Sequence, residues 1–231
     1  MKKITKYIPT IILTLLCSCS DYLDIVPDNV TTLDIVFNNR NTAERYLANC
    51  YHFVPDHGSV KRIPGMGAGH ECWFYTTNDS HFDNEVSFYI ARGLQNIDAP
   101  YANYWDGEGG SNLPMFRAIR ECNIFLDYVR DQHKVNDLTD SERKRWIAEV
   151  NVLKAYYHFF LFEHYGPIPI VDKALPVSTD PEGVKVTRMP VDQIVDYMVK
   201  LIDDSYKDLP PVITICLLYT SPSPRDRQKS R

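Results

Sequence analysis

One stretch constrains the fold more than any other: the run from Thr139 to Val171. It opens on "TDSE", residues 139–142, the pattern of a capping box. There a Thr hydroxyl accepts from the third helical amide, and the Glu carboxylate reaches back to the cap amide. Trp146, Val150, Leu153, Tyr157 and Phe160 follow at spacings of 4, 3, 4 and 3. Those spacings put all five on one face of an α-helix, a seam for a second helix. Ala148 and Ala155 allow a neighbour to come close. "YGPIPIV", residues 165–171, then stops the helix with one glycine and two prolines.

Three further helices are expected around this one. Residues 41–54 place Ala43, Tyr46, Leu47, Cys50 and Tyr51 at helical spacing, with Asn41 as the N-cap. Residues 112–132 carry the stripe Phe116, Ile119, Asn123, Leu126 and Val129, with Arg117 and Glu121 a four-apart pair on the surface. Asn123 within that stripe is expected to be a buried amide bonded to backbone. Residues 190–207 begin at a proline, which suits a first helical position. Ile194, Met198, Leu201 and Ile202 are its expected buried face, and Met189 is a poor cap. The fold class is therefore mainly α, and the short-range pairing of the helices suggests helical hairpins joined by long loops, although no 34-residue repeat is visible.

Both ends differ in character from this body. Lys2, Lys3 and Lys6 precede an apolar run over residues 7–16, and small residues follow. That is the order of an export signal over residues 1–18. Ten such residues are too few to span a bilayer core, which needs roughly 20. Leu16 lies three before Cys19 and Ser18 just before it, the arrangement of a lipoprotein signal. Cys19 is accordingly the expected lipidation site, and its acyl chains would anchor the protein to a membrane. At the other end "CLLYTSPSPRD", residues 216–226, resembles a translated sequencing-library adaptor, so residues 216–231 are expected to be an artefact and the natural frame to continue past Ile215.

Setting these ends aside changes the electrostatics. The formal charge of −5 becomes −8 without the three lysines of residues 1–18. It becomes −11 once residues 216–231, with four cations against Asp226, are also removed. So acidic a body does not suit nucleic acid, whose binders carry basic faces. Cys50, Cys72 and Cys122 remain in residues 20–215, too few for a closed disulfide framework and without metal-ligand spacing; buried free thiols are expected.

Several stretches, in order, resemble one family, the SusD/RagB outer-membrane nutrient-binding lipoproteins of Bacteroidetes. These are "CSDYLDIVPDN" (19–29), "FNNRNTAERYLANCY" (37–51), "FRAIRECNIFLD" (116–127), "RWIAEVNVLKAYYHFFLFEHYGPIPIV" (145–171) and "PVDQIVDYMVKLIDDSYKDLP" (190–210). The fourth, residues 145–171, is the most specific match. Val150, Val152 and Met189 depart from the residues commoner in that family. The resemblance implies a nearly all-helical body of tetratricopeptide-like hairpins, the N-terminal part of a SusD-like helical domain over residues 19–215. It also implies a surface lipoprotein that binds glycan oligosaccharides, or in some members peptides, and a SusC-like TonB-dependent transporter as partner. The rival expectation is a surface-anchored scaffold for protein or peptide, without a sugar ligand.

Between the first two helices lie more than fifty residues with no long periodic segment, and loops of that length usually serve a function. Residues 73–105 hold nine aromatics, and aromatic faces pack against the apolar faces of sugars. Trp73, Tyr75, Tyr104 and Trp105 are the expected ligand-binding residues, the last two beside "DGEGG". Asn78, Asp79, Asn84 and Asp106 could bond to hydroxyls. Catalysis is not expected. "GMGAG" (65–69) lacks the lysine of a phosphate loop, and no Ser or Cys sits in a nucleophile elbow. His158 and His164 are six apart, not the four of a zinc protease, so neither metal nor cofactor is expected.

Overall fold

The computed structural model describes residues 32–58, 65, 67–69, 86–98, 100–107, 113–175 and 185–211. The export signal, Cys19, Trp73, Tyr75, Cys72, the adaptor-like end and the domain bounds at residues 18 and 215 lie outside them. The chain divides into two compact units, Met1–Val36 and Phe37–Arg231. In the first, the described part is one helical turn, α1 (Leu33–Val36). Its Ile35 and Val36 amides both donate to the Thr32 carbonyl.

The second unit carries α2 (Arg40–Tyr51), α3 (Val86–Ala91), α4 (Met115–Val129), α5 (Asp140–Tyr165), α6 (Val191–Asp203) and a 3-10 turn at Tyr206–Asp208. Among the described residues there is no strand, in keeping with the expected mainly α class. Nor is any helix there long and apolar enough to cross a membrane.

The long helix α5 forms as its sequence dictates. Glu142 N–H donates to Thr139 Oγ1 at 3.3 Å, and Thr139 N–H donates to the Glu142 carboxylate at 3.4 Å. The same carboxylate receives Arg40 of α2 at 3.0 Å, so one glutamate both caps α5 and ties it to a neighbour. The Thr139 hydroxyl first, and Arg40 with it, holds Glu142 below the usual carboxylate range. Thr139→Ala is expected to cost about 1 kcal/mol, read as a fall of a few degrees in the thermal midpoint. Loss of the cap without any such fall would contradict this account.

All five seam residues of α5 are buried. The helix packs on α4, which runs antiparallel: Arg143 near the start of α5 bonds the Val129 carbonyl at the end of α4, Phe116 near the start of α4 and Tyr165 at the end of α5 both touch Trp105, and Phe125 packs on the seam residue Trp146 at 6.3 Å between ring centroids. The ten-residue bend between the two helices is organised from inside. Buried Arg143 donates to the carbonyls of Val129, Asp131, Lys134 and Val135 at 2.6, 3.2, 3.2 and 3.0 Å. Val135 sits at φ 50°, a left-handed conformation unfavourable for a β-branched residue. It is held there from both sides, since its amide donates to the Phe37 carbonyl at 3.0 Å.

Helix α2 lies across this hairpin through Ala43, Leu47 and Cys50, and the Tyr157 hydroxyl donates to the Cys50 carbonyl. Cys50 and Cys122 are free and buried, as expected. A hydrogen bond between the Cys122 and Cys50 side chains, and burial with it, push the Cys122 thiol pKa up. Asn123 is also as expected, its amide nitrogen donating to the Val171 carbonyl at 3.0 Å.

Helix α6 closes the other side of α5 through a polar cluster. Lys154, almost fully buried, bonds the Asp172 carboxylate at 2.7 Å, and the Tyr197 hydroxyl bonds the same oxygen at 2.8 Å. Burial alone would raise the Asp172 pKa, but the bonds from Lys154 and Tyr197 hold it below the usual range.

Several sequence expectations need correction. Asn39, not Asn41, caps α2: its backbone is extended and its Oδ1 accepts from Thr42 N–H at 3.1 Å, whereas Asn41 is already helical. That helix ends at Tyr51, before residue 54. Helix α4 is shorter than residues 112–132, because Pro114 occupies the cap position and Arg130 ends it. Pro190 is the cap of α6 rather than its first residue, and Met189 lies outside it. The helix stops at Asp203, and Ile202 is exposed rather than buried.

Candidate functional site

The loop ahead of α4 fixes two adjacent aromatic residues. Tyr104 N–H donates to the Tyr165 hydroxyl at 2.9 Å, and the Tyr104 carbonyl accepts from Met115 N–H at 2.9 Å. The loop is thus tied to the end of α5 and to the start of α4. Asn103 Oδ1 accepts from Trp105 N–H at 3.1 Å, and its amide nitrogen bonds Asp106 at 2.6 Å. Gly107 then turns the chain at φ 89°, where an added Cβ would lie 2.9 Å from the Pro114 ring. Only glycine fits that turn.

The two aromatics part company at this point. Tyr104 is 1% exposed, packed edge-on to Phe160 and His164 at 4.9 and 4.8 Å between centroids. Burial first, with the adjacent Tyr165, lifts its hydroxyl pKa well above the ordinary value. Its ring is part of a wall, with no face free for a ligand. Trp105 is half-buried. Phe116 of α4 touches it at 4.6 Å, Tyr165 meets it edge-on at 5.5 Å, and the Arg188 guanidinium lies 5.3 Å from the ring centre. Arg188 is steered there by the Pro167 carbonyl at 3.1 Å.

Each residue belongs to a different cavity. Trp105 lines one of about 220 Å³, with Phe116, Pro169, Val171 and Leu175 supplying apolar wall and Arg120 and Lys173 supplying cations. Tyr104 backs the Phe160–His164 wall of a second, about 400 Å³, lined also by His57, Glu163, Ile90 and the glycine-rich bend at Gly65 and Gly69. His57 Nε2 is 2.6 Å from the Tyr156 hydroxyl, and the His164 Nδ1–H donates to the Phe160 carbonyl at 2.7 Å. Both cavities are apolar with a few fixed polar groups, the usual make-up of a small-ligand site.

Of the four expected ligand-binding residues, then, Trp105 borders a cavity and Tyr104 stands behind one. Trp73 and Tyr75 lie outside the described residues. Sequence reasoning missed Tyr165, Arg188, His57 and His164 as neighbours of this loop. His164 and Tyr165 are adjacent at the end of α5, but His57 and Arg188 come from separate segments, and no local spacing joins the three. Asp106 is engaged with Asn103 rather than offered to a ligand. The described aromatics between α3 and the loop pack on one another, as Tyr89 does on Tyr101 at 4.7 Å. Among the described residues no cluster of three His, Cys, Asp or Glu side chains stands close enough to hold a metal ion.

Comparison with known proteins now bears on these cavities. The profile of a family described as "Starch-binding associating with outer membrane" matches residues 21–223. Among solved structures the chain is similar to a laminarin-binding SusD-like protein, at 17% identity and a TM-score of 0.57 over 77% of this chain and 36% of that one. It is similar to a SusD-like protein from Bacteroides fragilis, at 16% identity and a TM-score of 0.59 over 84% of this chain and 33% of the other. A SusD-like carbohydrate binding protein from the same organism matches at 21% identity, with a TM-score of 0.55 and 80% and 34% coverage. At such identities these likenesses establish the fold alone. The chain spans about a third of the length of these three solved relatives. No curated protein matches it.

Proposed function

The chain belongs to the SusD-like family of starch-binding proteins that associate with the outer membrane, and from that premise we propose that it captures glycan oligosaccharides at the cell surface. In this reading an acylated Cys19 tethers it to the outer membrane, and a SusC-like TonB-dependent transporter receives the cargo. Trp105 is the stacking platform, and it carries the reading. The indole is half-buried, fixed by a loop bonded at both flanks, and opens on a cavity with apolar walls and cations. Such a ring presents a flat apolar face to the C–H face of a sugar, while polar neighbours serve its hydroxyls. Trp73 and Tyr75 are assigned to the same aromatic loop. The protein is not an enzyme in this reading; binding and release are its chemistry.

Calorimetric titration with malto-oligosaccharides and laminari-oligosaccharides tests the assignment. Trp105→Ala is expected to weaken the better of the two ligands about tenfold, the loss of roughly 1.4 kcal/mol of stacking. Trp105→Phe should retain part of it. Because Trp105 also packs on Phe116, the thermal midpoint is measured alongside. Unchanged affinity in a folded Trp105→Ala variant would refute the platform.

A further inference from the structure

We propose that the Trp105 cavity selects acidic oligosaccharides, its Arg120 and Lys173 engaging a carboxylate or sulfate while a sugar ring lies on the indole. This deepens the glycan reading and rests on its assignment of Trp105. The cavity departs from the charge of the protein around it. The chain between residues 19 and 215 is acidic as a whole. Yet among the described residues the charged groups that line this cavity are Arg120 and Lys173, with no Asp or Glu. A third cation, Arg188, lies 5.3 Å from the centre of the Trp105 ring. The carboxylate next along the chain, Asp106, is held by the Asn103 amide at 2.6 Å.

The two lining cations are placed differently. Half-buried Arg120 donates from Nη1 to the Leu175 carbonyl, which fixes the guanidinium at the wall and leaves the rest of its donor fork for a ligand. A planar fork of that kind pairs with two oxygens of one anion. Lys173 stands exposed on the segment after α5, with no ion pair or hydrogen bond among the described residues. Both side chains only donate. A sugar hydroxyl donates as well as accepts, so a wall of cations serves half of its needs, whereas an ionised acid group only accepts and uses such a wall in full. The apolar walls of Phe116, Pro169 and Val171 strengthen the attraction by displacing water from beside it.

Calorimetric titration of the 231-residue chain with a galacturonic acid oligomer, and with the same oligomer methyl-esterified, tests this. The two share rings and linkages and differ in charge. The acid is expected to bind about tenfold tighter, an advantage that shrinks several-fold as salt rises from about 50 to about 500 mM. Lys173→Gln should remove most of the advantage and leave affinity for the ester unchanged, with an unaltered thermal midpoint because the side chain is exposed. A heparin-derived oligosaccharide separates the acid groups: tighter binding than the galacturonate assigns sulfate to the site, and weaker binding assigns carboxylate. Equal affinity for acid and ester overturns the proposal, as does an advantage that survives Lys173→Gln. Failure of both acidic probes to bind also overturns it, and binding of malto- or laminari-oligosaccharides in that case leaves the glycan reading standing. If Trp105→Ala binds acid and ester as tightly as wild type, the platform and this proposal fall together.

Discussion

Replacing Arg143 by alanine is expected to cost about 3–5 kcal/mol, a fall of roughly 10 °C in the thermal midpoint for a chain of this size. The guanidinium is buried and spends its donors on four carbonyls of the α4–α5 bend. Truncation takes a donor from each of those oxygens, although the Asp131 and Val135 carbonyls keep the Lys134 and Leu138 amides, and a charge-assisted bond is worth about 1.5–3 kcal/mol. It also frees Val135 from one of the three bonds that hold its left-handed backbone, so part of the lost energy returns as relieved strain. Arg143→Lys keeps the charge but not the planar fork, and should fall between wild type and Arg143→Ala. Urea denaturation followed by far-ultraviolet circular dichroism measures all three. A loss below about 1 kcal/mol for Arg143→Ala would show that the bend is held by other contacts.

The second large effect is on acid stability. His158 is fully buried, and its Nδ1–H donates to the Lys154 carbonyl at 2.7 Å. Its Nε2 has no hydrogen-bond partner among the described residues. Burial first, and the adjacent Lys154 cation, hold its pKa down to about 4, against 6.5 when unfolded. Asp172 from the segment after α5 pulls the other way, and Tyr197 of α6 meets the ring edge-on at 5.2 Å. Between those two values the unfolded chain binds a proton that the folded chain refuses. The stability that His158 contributes is therefore complete above pH 6.5 and declines as pH falls toward 4, by about 3 kcal/mol in all. Asp172, held low, adds a further loss at more acidic pH, whereas Glu149, raised by burial, opposes it. His158→Phe is expected to flatten the unfolding free energy between pH 6.5 and 4. Equal slopes for wild type and variant would remove His158 from the account.

What the sequence disclosed, and what it hid, follows from how far each signal reaches. The cap and seam of α5 are local and strong, because every seam residue repeats the same instruction. The cap of α2 came out two residues early, since Asn39 and Asn41 are equivalent by composition and only backbone conformation separates them. Helix α3 escaped because six residues are too few to show a period. Arg143, Lys154 and His158 flank the apolar seam, and their polar side chains read as solvent-facing. They are buried because the bend, Asp172 and α6 close over them. The same logic misplaced Ile202: periodicity tells apolar from polar, and cannot tell which apolar half of α6 already has a neighbour. At the candidate site Trp105 was legible as an aromatic beside glycines. Its setting was not, because Phe116, Tyr165 and Arg188 reach it from three distant parts of the chain.

The double tether of the Tyr104 backbone has one more effect. A loop stapled to both long helices has little motion left to surrender when something docks on its indole. Whatever settles against Trp105 immobilises itself alone, so even a shallow, weakly attractive contact can register as capture.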